Sequence, residues 1–353
     1  MMQEINQVAT LNDASVADPS PTPAPPPTSW LVQRLRTISW DVMWERYGIA
    51  ALLLITWGVA TLTIPVFSYT DNFLEILRQA SFVGIAAVGM TFAILLGTFD
   101  LSVVSTLGLC AWLSVSLASQ HELYLALTLP LLVGAFIGAI NGTLVAFLRI
   151  PAFIVTLSMQ FLISGYTYIV VGGSDGALYA GHEFTHLGTG FVFGFPIPFV
   201  VFVVCAIVGA LVLQFTPFGR YIFAAGSNSQ AAQVAGVPVR RTLFFSFVVV
   251  GGFTALAAIL LGARLYSAGP GLEPGFELNV IAAVVLGGTR LSGGRGSMLG
   301  TFAAALLFST LSNILNLLYI DSFVQQVIVG LVLLVALSIE GIRARLAERL
   351  SRG

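Results

Sequence analysis

Ten long apolar runs, separated by short polar gaps, constrain this chain more than any other feature. They cover approximately residues 48–67, 76–97, 101–118, 124–147, 151–171, 196–216, 243–263, 278–289, 297–317 and 323–340. A membrane-spanning helix needs about 20 consecutive apolar residues. Nine runs have the length for a span, and the eighth is too short for a simple one. A tilted, broken or buried helix is tolerated there only inside a bundle, because hydrocarbon offers no partner to a free backbone group. The expected fold is an all-α polytopic membrane protein with about ten transmembrane helices. Composition agrees: 57% of residues are hydrophobic and 9% charged, against roughly 25% charged in soluble domains.

The basic residues test the topology. All fifteen are arginine. With a cytoplasmic N-terminus and ten crossings, Arg34, Arg36, Arg46, Arg149, Arg220, Arg240, Arg241, Arg290, Arg295, Arg343, Arg345, Arg349 and Arg352 fall inside. Only Arg78 and Arg264 fall outside. That asymmetry follows the positive-inside rule and predicts both termini cytoplasmic. The absence of lysine also excludes chemistry. A phosphate-binding loop of the Walker type needs a lysine at the nucleotide phosphates, and a Schiff-base cofactor needs one at its carbonyl. Neither ATP hydrolysis nor pyridoxal chemistry is expected on this chain. A net charge of −1 gives no field for nucleic acid. Cys110 and Cys205 sit in apolar runs and read as core residues, without a disulfide or zinc framework.

The expected organisation is a disordered proline-rich tail and lead-in over 1–46, a transmembrane domain over 47–340 and a basic tail over 341–353. The leader lacks the basic start and apolar centre of a cleaved signal peptide. Gly134, Gly138 and Gly142 recur every four residues in the fourth run, and Gly296 and Gly300 in the ninth. Such spacing lets helix backbones approach closely in lipid. Residues 134–153 are faintly echoed by 300–323, in helices that cross in opposite directions, so an inverted repeat is expected.

The long inner loop, 217–242, is the most informative polar segment. Asn228 is a good helix N-cap, Ala231, Ala232 and Ala235 favour helix, and Gly236 is a good stop. A short helix is expected there, with Arg240 and Arg241 at the membrane boundary. It is either a plain connector held at lipid headgroups or a docking helix for a cytoplasmic partner.

Here a resemblance enters. Gln230-Ala-Ala-Gln-Val-Ala-Gly236 is similar to the Glu-Ala-Ala-x-x-x-Gly loop of ABC importer permeases, with Gln230 in place of glutamate. Gly97-Thr-Phe-Asp-Leu-Ser102, Asn141-Gly-Thr-Leu-Val145, Arg149-Ile-Pro-Ala-Phe-Ile-Val-Thr-Leu157, Phe218-Gly-Arg220, Ile281 to Thr289 and Ser292-Gly-Gly-Arg-Gly296 resemble, in order, the permease subunits of ribose-type sugar ABC importers. The resemblance spans roughly 70–340. It implies a homodimeric or heterodimeric pore in a bacterial inner membrane, driven by a separate cytoplasmic ABC ATPase that carries ATP and Mg. It also implies substrate delivery by a periplasmic or lipid-anchored sugar-binding protein. No cofactor is expected on this chain. Coupling to the ATPase would fall on Asn228, Gln230, Ala231, Ala232, Gly236, Arg240 and Arg241. Related permeases carry nucleosides or branched-chain amino acids, and those substrates stay open.

A sugar carries several hydroxyls, and stripping their water in hydrocarbon costs kcal/mol each. The path must therefore be polar or wet. Candidates lining it are Asp100, Ser102, Asn141, Thr156, Gln160, Asn279, Asn313 and Asn316. Asp100 is a carboxylate between two apolar runs, hence a functional suspect, or it caps the third helix. The asparagines either touch sugar or join helices.

His182-Glu-Phe-Thr-His186 has the His-Glu-x-x-His pattern of zinc hydrolases, which needs both histidines on one helical face. Gly181, Gly188 and Gly190 flank it in the outer loop 172–195 and argue against a sustained helix, and no convincing third ligand follows. No metal is expected. The loop either meets the binding protein, closes the gate or is passive. An ion-coupled secondary carrier is the alternative reading, with Asp100 its one candidate relay.

Overall fold

The computed structural model describes residues 40–171, 176–177, 181–269, 272–321, 323–328, 330–331 and 334. The expected tail over 1–39 and the basic tail over 341–353 lie outside the described residues. Helix α1, Trp40–Thr63, starts within the expected lead-in. A short 3₁₀ turn, Pro65–Ser68, leads to α2, Thr70–Ile94. Then come α3 (Val103–Ser119), α4 (Leu123–Ala146) and α5 (Ala152–Val171). Short α6, His182–Thr189, precedes α7, Ile197–Phe215. Next are α8 (Pro217–Ser227), α9 (Ser229–Val234) and α10 (Val239–Leu265). Helices α11 (Phe276–Leu286) and α12 (Met298–Leu317) follow, and residues 323–328 are again helical.

Each apolar run has a helix. Among the described residues, six helices (α2, α4, α5, α7, α10 and α12) are long and apolar enough to cross a membrane. The apolar part of α1, α3 and α11 are shorter. Helix α11 has eleven residues, about 16 Å of rise, roughly half of a hydrocarbon core. It lies against α2 and α12 with Phe276, Val280 and Ala282 to Val285 buried. The third span, expected at full length, is also short: α3 begins only at Val103, because the chain after α2 spends Gly97 to Ser102 in a turn.

Helix α2 is the axis of the bundle. It packs on α10, α12, α7 and α11, and Ile85 to Ala87 and Met90 are wholly buried. The peripheral α4, α5 and α7 leave apolar side chains such as Phe136, Phe161 and Leu211 exposed, as a lipid-facing surface would. The closest pairing is α4 on α10. Its cause is the glycine stripe. A Cβ on Gly142 would sit 2.8 Å from the Phe244 carbonyl oxygen, and one on Gly138 or Gly251 would strike backbone of the other helix. In α12 only Gly300 acts this way, against Gly287. Gly296, expected in the same helix, lies ahead of it and packs on Thr289.

Two tiny antiparallel ladders join loops. Gly176–Ala177 (β1) pairs with Ser267–Ala268 (β4), and Phe191–Val192 (β2) pairs with Phe195–Pro196 (β3). The second is a two-residue hairpin whose tip, Phe193 and Gly194, has φ of 52° and 81°. Positive φ at both positions matches the right-handed strand twist.

Candidate functional site

Helix α2 ends at a left-handed Gly97, and the chain turns back into the bundle. Asp100 lies in that turn, 2% exposed. Its Oδ1 accepts from the Ser102 amide at 2.8 Å and the Ser102 hydroxyl at 2.6 Å. Asn141 of α4 donates from Nδ2 to Asp100 Oδ2 at 3.2 Å and to Ser102 Oγ at 2.9 Å. Burial of a carboxylate demands such partners. Both carboxylate oxygens are engaged, and Asn141 Oδ1 is left without a donor. Asp100 thus shapes the approach to α3 and bonds it to α4, without capping the helix itself.

The remaining path candidates lie elsewhere. Thr156 is buried and donates to Ala152 O within α5. Gln160 and Asn279 are half-buried. Asn313 donates to Asn72 Oδ1 at 2.8 Å, and its own Oδ1 lacks a donor. Asn316 accepts from Gln325 at 2.8 Å near the chain's last described helix. Hydrogen bonds join only Asp100, Ser102 and Asn141 of the eight.

Helix α9 occupies the position expected for the short loop helix. Asn228 Oδ1 accepts from the Ala231 amide at 2.9 Å. Gly236, with φ of 84°, stops the helix as its amide bonds to Gln233 O at 3.1 Å. Ala232 is buried, while Gln230, Ala231, Gly236, Arg240 and Arg241 are exposed. Helix α8 leads from α7 to α9 and ends in a backbone junction. Gly294 N donates to Leu95 O at 2.9 Å, and a Cβ on Gly226 would collide with that same carbonyl oxygen. Gly293 packs on Gly97 and Gly226. The loops after α2 and before α12 meet the last turn of α8 there, mainly through main chain, with the Ser227 hydroxyl beside Gly294. The junction joins the root of α9 to the turn that holds Asp100.

The opposite end is held by side chains. Glu75 of α2 pairs with Arg78 at 2.9 Å and with Arg264 at the end of α10. Gln79 donates to Glu75 at 3.1 Å. Arg78 reaches Thr189 O and stacks over Phe191, while Arg264 stacks over Phe82. The two arginines that the charge count left outside therefore share one carboxylate. Beside them, α6 corrects the expectation of an interrupted helix. Gly181 caps it, Gly190 N closes it on His186 O at 2.8 Å, and Gly188 lets it settle on the backbone of Ala263 and Arg264. The glycines serve packing here. His182 and His186 consequently share a face, with ring centroids 6.3 Å apart. Among the described residues no group of three His, Cys, Asp or Glu could hold a metal ion.

The sequence profile described as branched-chain amino acid transport system / permease component matches residues 72–337. The chain belongs to this family. The permease is 40% identical over 300 residues to the ribose import permease protein of Haemophilus influenzae, covering 83% of this chain and 91% of that protein. It is 36% identical to the ribose import permease protein of Bacillus subtilis, covering 89% and 98%. It is also 36% identical to the L-arabinose transport system permease protein of Escherichia coli, covering 85% and 92%. No solved structure matches it.

Several polar contacts of the permease escaped the sequence. Thr91 and Thr301 bring their hydroxyls to 3.1 Å between α2 and α12, and Trp57 donates to Thr310 at 2.8 Å. Threonines that also bond the carbonyl four residues back carry no periodic signal. Asn72 and Glu75, at the start of α2, could have been found as polar residues on an otherwise buried helix.

Proposed function

We propose that this permease forms the translocation path of an ATP-driven importer for a monosaccharide of the ribose or arabinose type. The carrying observation is the identity of 36–40% to permeases named for ribose and L-arabinose, over more than four-fifths of both chains. A separate ATPase, holding ATP and Mg, docks at α9 through Asn228, Gln230, Ala231, Ala232, Gly236, Arg240 and Arg241. This end and both termini face the cytoplasm. A sugar-binding protein delivers substrate to the α6 end, and a second permease subunit completes the pore. Closure of the ATPase pushes α9. Because α8 meets the ends of α2 and α12 backbone to backbone, the push reaches the Asp100 turn with little slack. Such packed elements switch between discrete arrangements rather than bend. The polar side chains from Asp100 to Asn316 named above replace part of the sugar's water along the way.

Gly236→Asp tests the coupling. A Cβ at this position meets nothing within 4 Å, and aspartate tolerates positive φ. The variant should insert and fold normally while ATP-dependent uptake falls at least about tenfold, a coupling loss of roughly 1.4 kcal/mol. Gly236→Asn, alike in shape but uncharged, should retain more uptake. Normal uptake by the aspartate variant would remove α9 from the mechanism. Uptake that survives ATP depletion and collapses with the ion gradient would replace the whole reading.

A further inference from the structure

Where α4 ends and α10 begins, the α9 end of the bundle has an open cleft of about 770 Å³. Arg149, Arg240 and Arg241 line it, with Ser229, Gln233 and Phe147. No carboxylate lines it, and residues 123–174 and 184–272, which build it, contain no Asp or Glu at all. Among the described residues no ion pair is seen at these three guanidinium groups. The first turn of α10 adds to the field, because Pro238 offers it no side-chain cap. An uncapped helix N-terminus presents free amides and a positive pole. Arg149 itself stands just past the end of α4 with φ of 59°, where glycine would cost less.

We propose that this cleft binds the phosphate-bearing headgroup of an anionic phospholipid. Charge alone would suit a lipid, inorganic phosphate or an acidic protein segment. Position selects lipid. The cleft opens at the ends of two helices long enough to cross a bilayer. Phe147 lines it, and Leu148 next in the chain and Phe245, nearly two turns into α10, are exposed as well, at 46%, 59% and 52% in that order. Acyl chains can lie on these side chains while the phosphate meets the arginines. Basic pockets at this depth are suited to anionic headgroups. The site shares Arg240 and Arg241 with the proposed docking surface, but lipid binding does not depend on ATPase coupling, since it requires only that α4 and α10 span the membrane.

Native mass spectrometry of the purified full-length chain, titrated with phosphatidylglycerol or phosphatidylcholine in neutral detergent, tests this. The wild type should retain phosphatidylglycerol in preference to phosphatidylcholine. Each arginine removed should lower that preference about fivefold. Arg149→Gln with Arg241→Gln should therefore lower it about twenty-five-fold, whereas Arg220→Gln, on α8 outside the cleft, should not. Should the glutamine pair fail to fold, Arg149→Lys with Arg241→Lys keeps the charge and should keep the preference. Equal retention of both lipids, or equal loss in the Arg220 variant, would overturn the proposal. So would protection against thermal unfolding by inorganic phosphate alone equal to that by phosphatidylglycerol. Cleft variants that lose an acidic protein partner while keeping lipid preference would reassign the cleft to protein docking.

Discussion

The two ends of this bundle are built from different materials. At the α9 end, Leu95, Gly226, Gly293 and Gly294 meet mainly through backbone, with only the short Ser227 hydroxyl beside Gly294. At the α6 end, Glu75, Arg78, Gln79 and Arg264 meet through long side chains with arginines laid over phenyl rings. Backbone contacts are short and stiff, so they transmit displacement. Side-chain contacts can part and re-form more readily, since ion pairs that are partly exposed are individually weak. One end suits a mechanical link and the other suits a surface that opens.

Four substitutions would break or sharpen this contrast. Gly226→Val should have the largest effect. Its branched side chain would meet the Leu95 carbonyl, and neither backbone can yield without opening the junction. Overpacking here should cost about 3 kcal/mol or more, seen as loss of the monodisperse species by size-exclusion chromatography. A stable, transporting variant would show the junction to be soft. Glu75→Gln comes next. It removes the anion from two arginines yet should cost only about 1 kcal/mol, given the partial exposure of the groups. The melting difference from wild type should shrink in high salt; salt independence would show the triad to be rigid as well. Asn228→Ala should cost about 1 kcal/mol, confined to α9. Hydrogen exchange over 229–234 should quicken while the melting temperature stays put. His186→Ala should change stability by less than about 0.5 kcal/mol, because the ring is exposed. Stoichiometric zinc in the purified protein, lost in this variant, would contradict that.

Much of the architecture was legible because the bilayer leaves few choices. The apolar runs located the helices, and the shortness of 278–289 foretold α11. Asn228 and Gly236 bracketed α9 because caps act locally. What could not be read depends on contacts between distant segments. The glycines around His182 looked like helix breakers, and only the nearby backbone of α10 explains Gly188. Leu95, Gly226 and Gly294 lie far apart in sequence, and nothing local marks them as neighbours. Asp100 was singled out, yet its hydrogen-bond partners became visible only with Asn141 beside it.

The Glu75–Arg264 pair also sets a clock. Its partners are 189 residues apart. At about 5–20 residues per second of synthesis, Arg264 is made roughly 10–40 s after Glu75. Until then Glu75 has only Arg78 and Gln79, and the α6 end has no tie to α10. A ribosome that stalls before residue 264 would release a chain with most of its helices but an unfastened end, a natural target for membrane quality control.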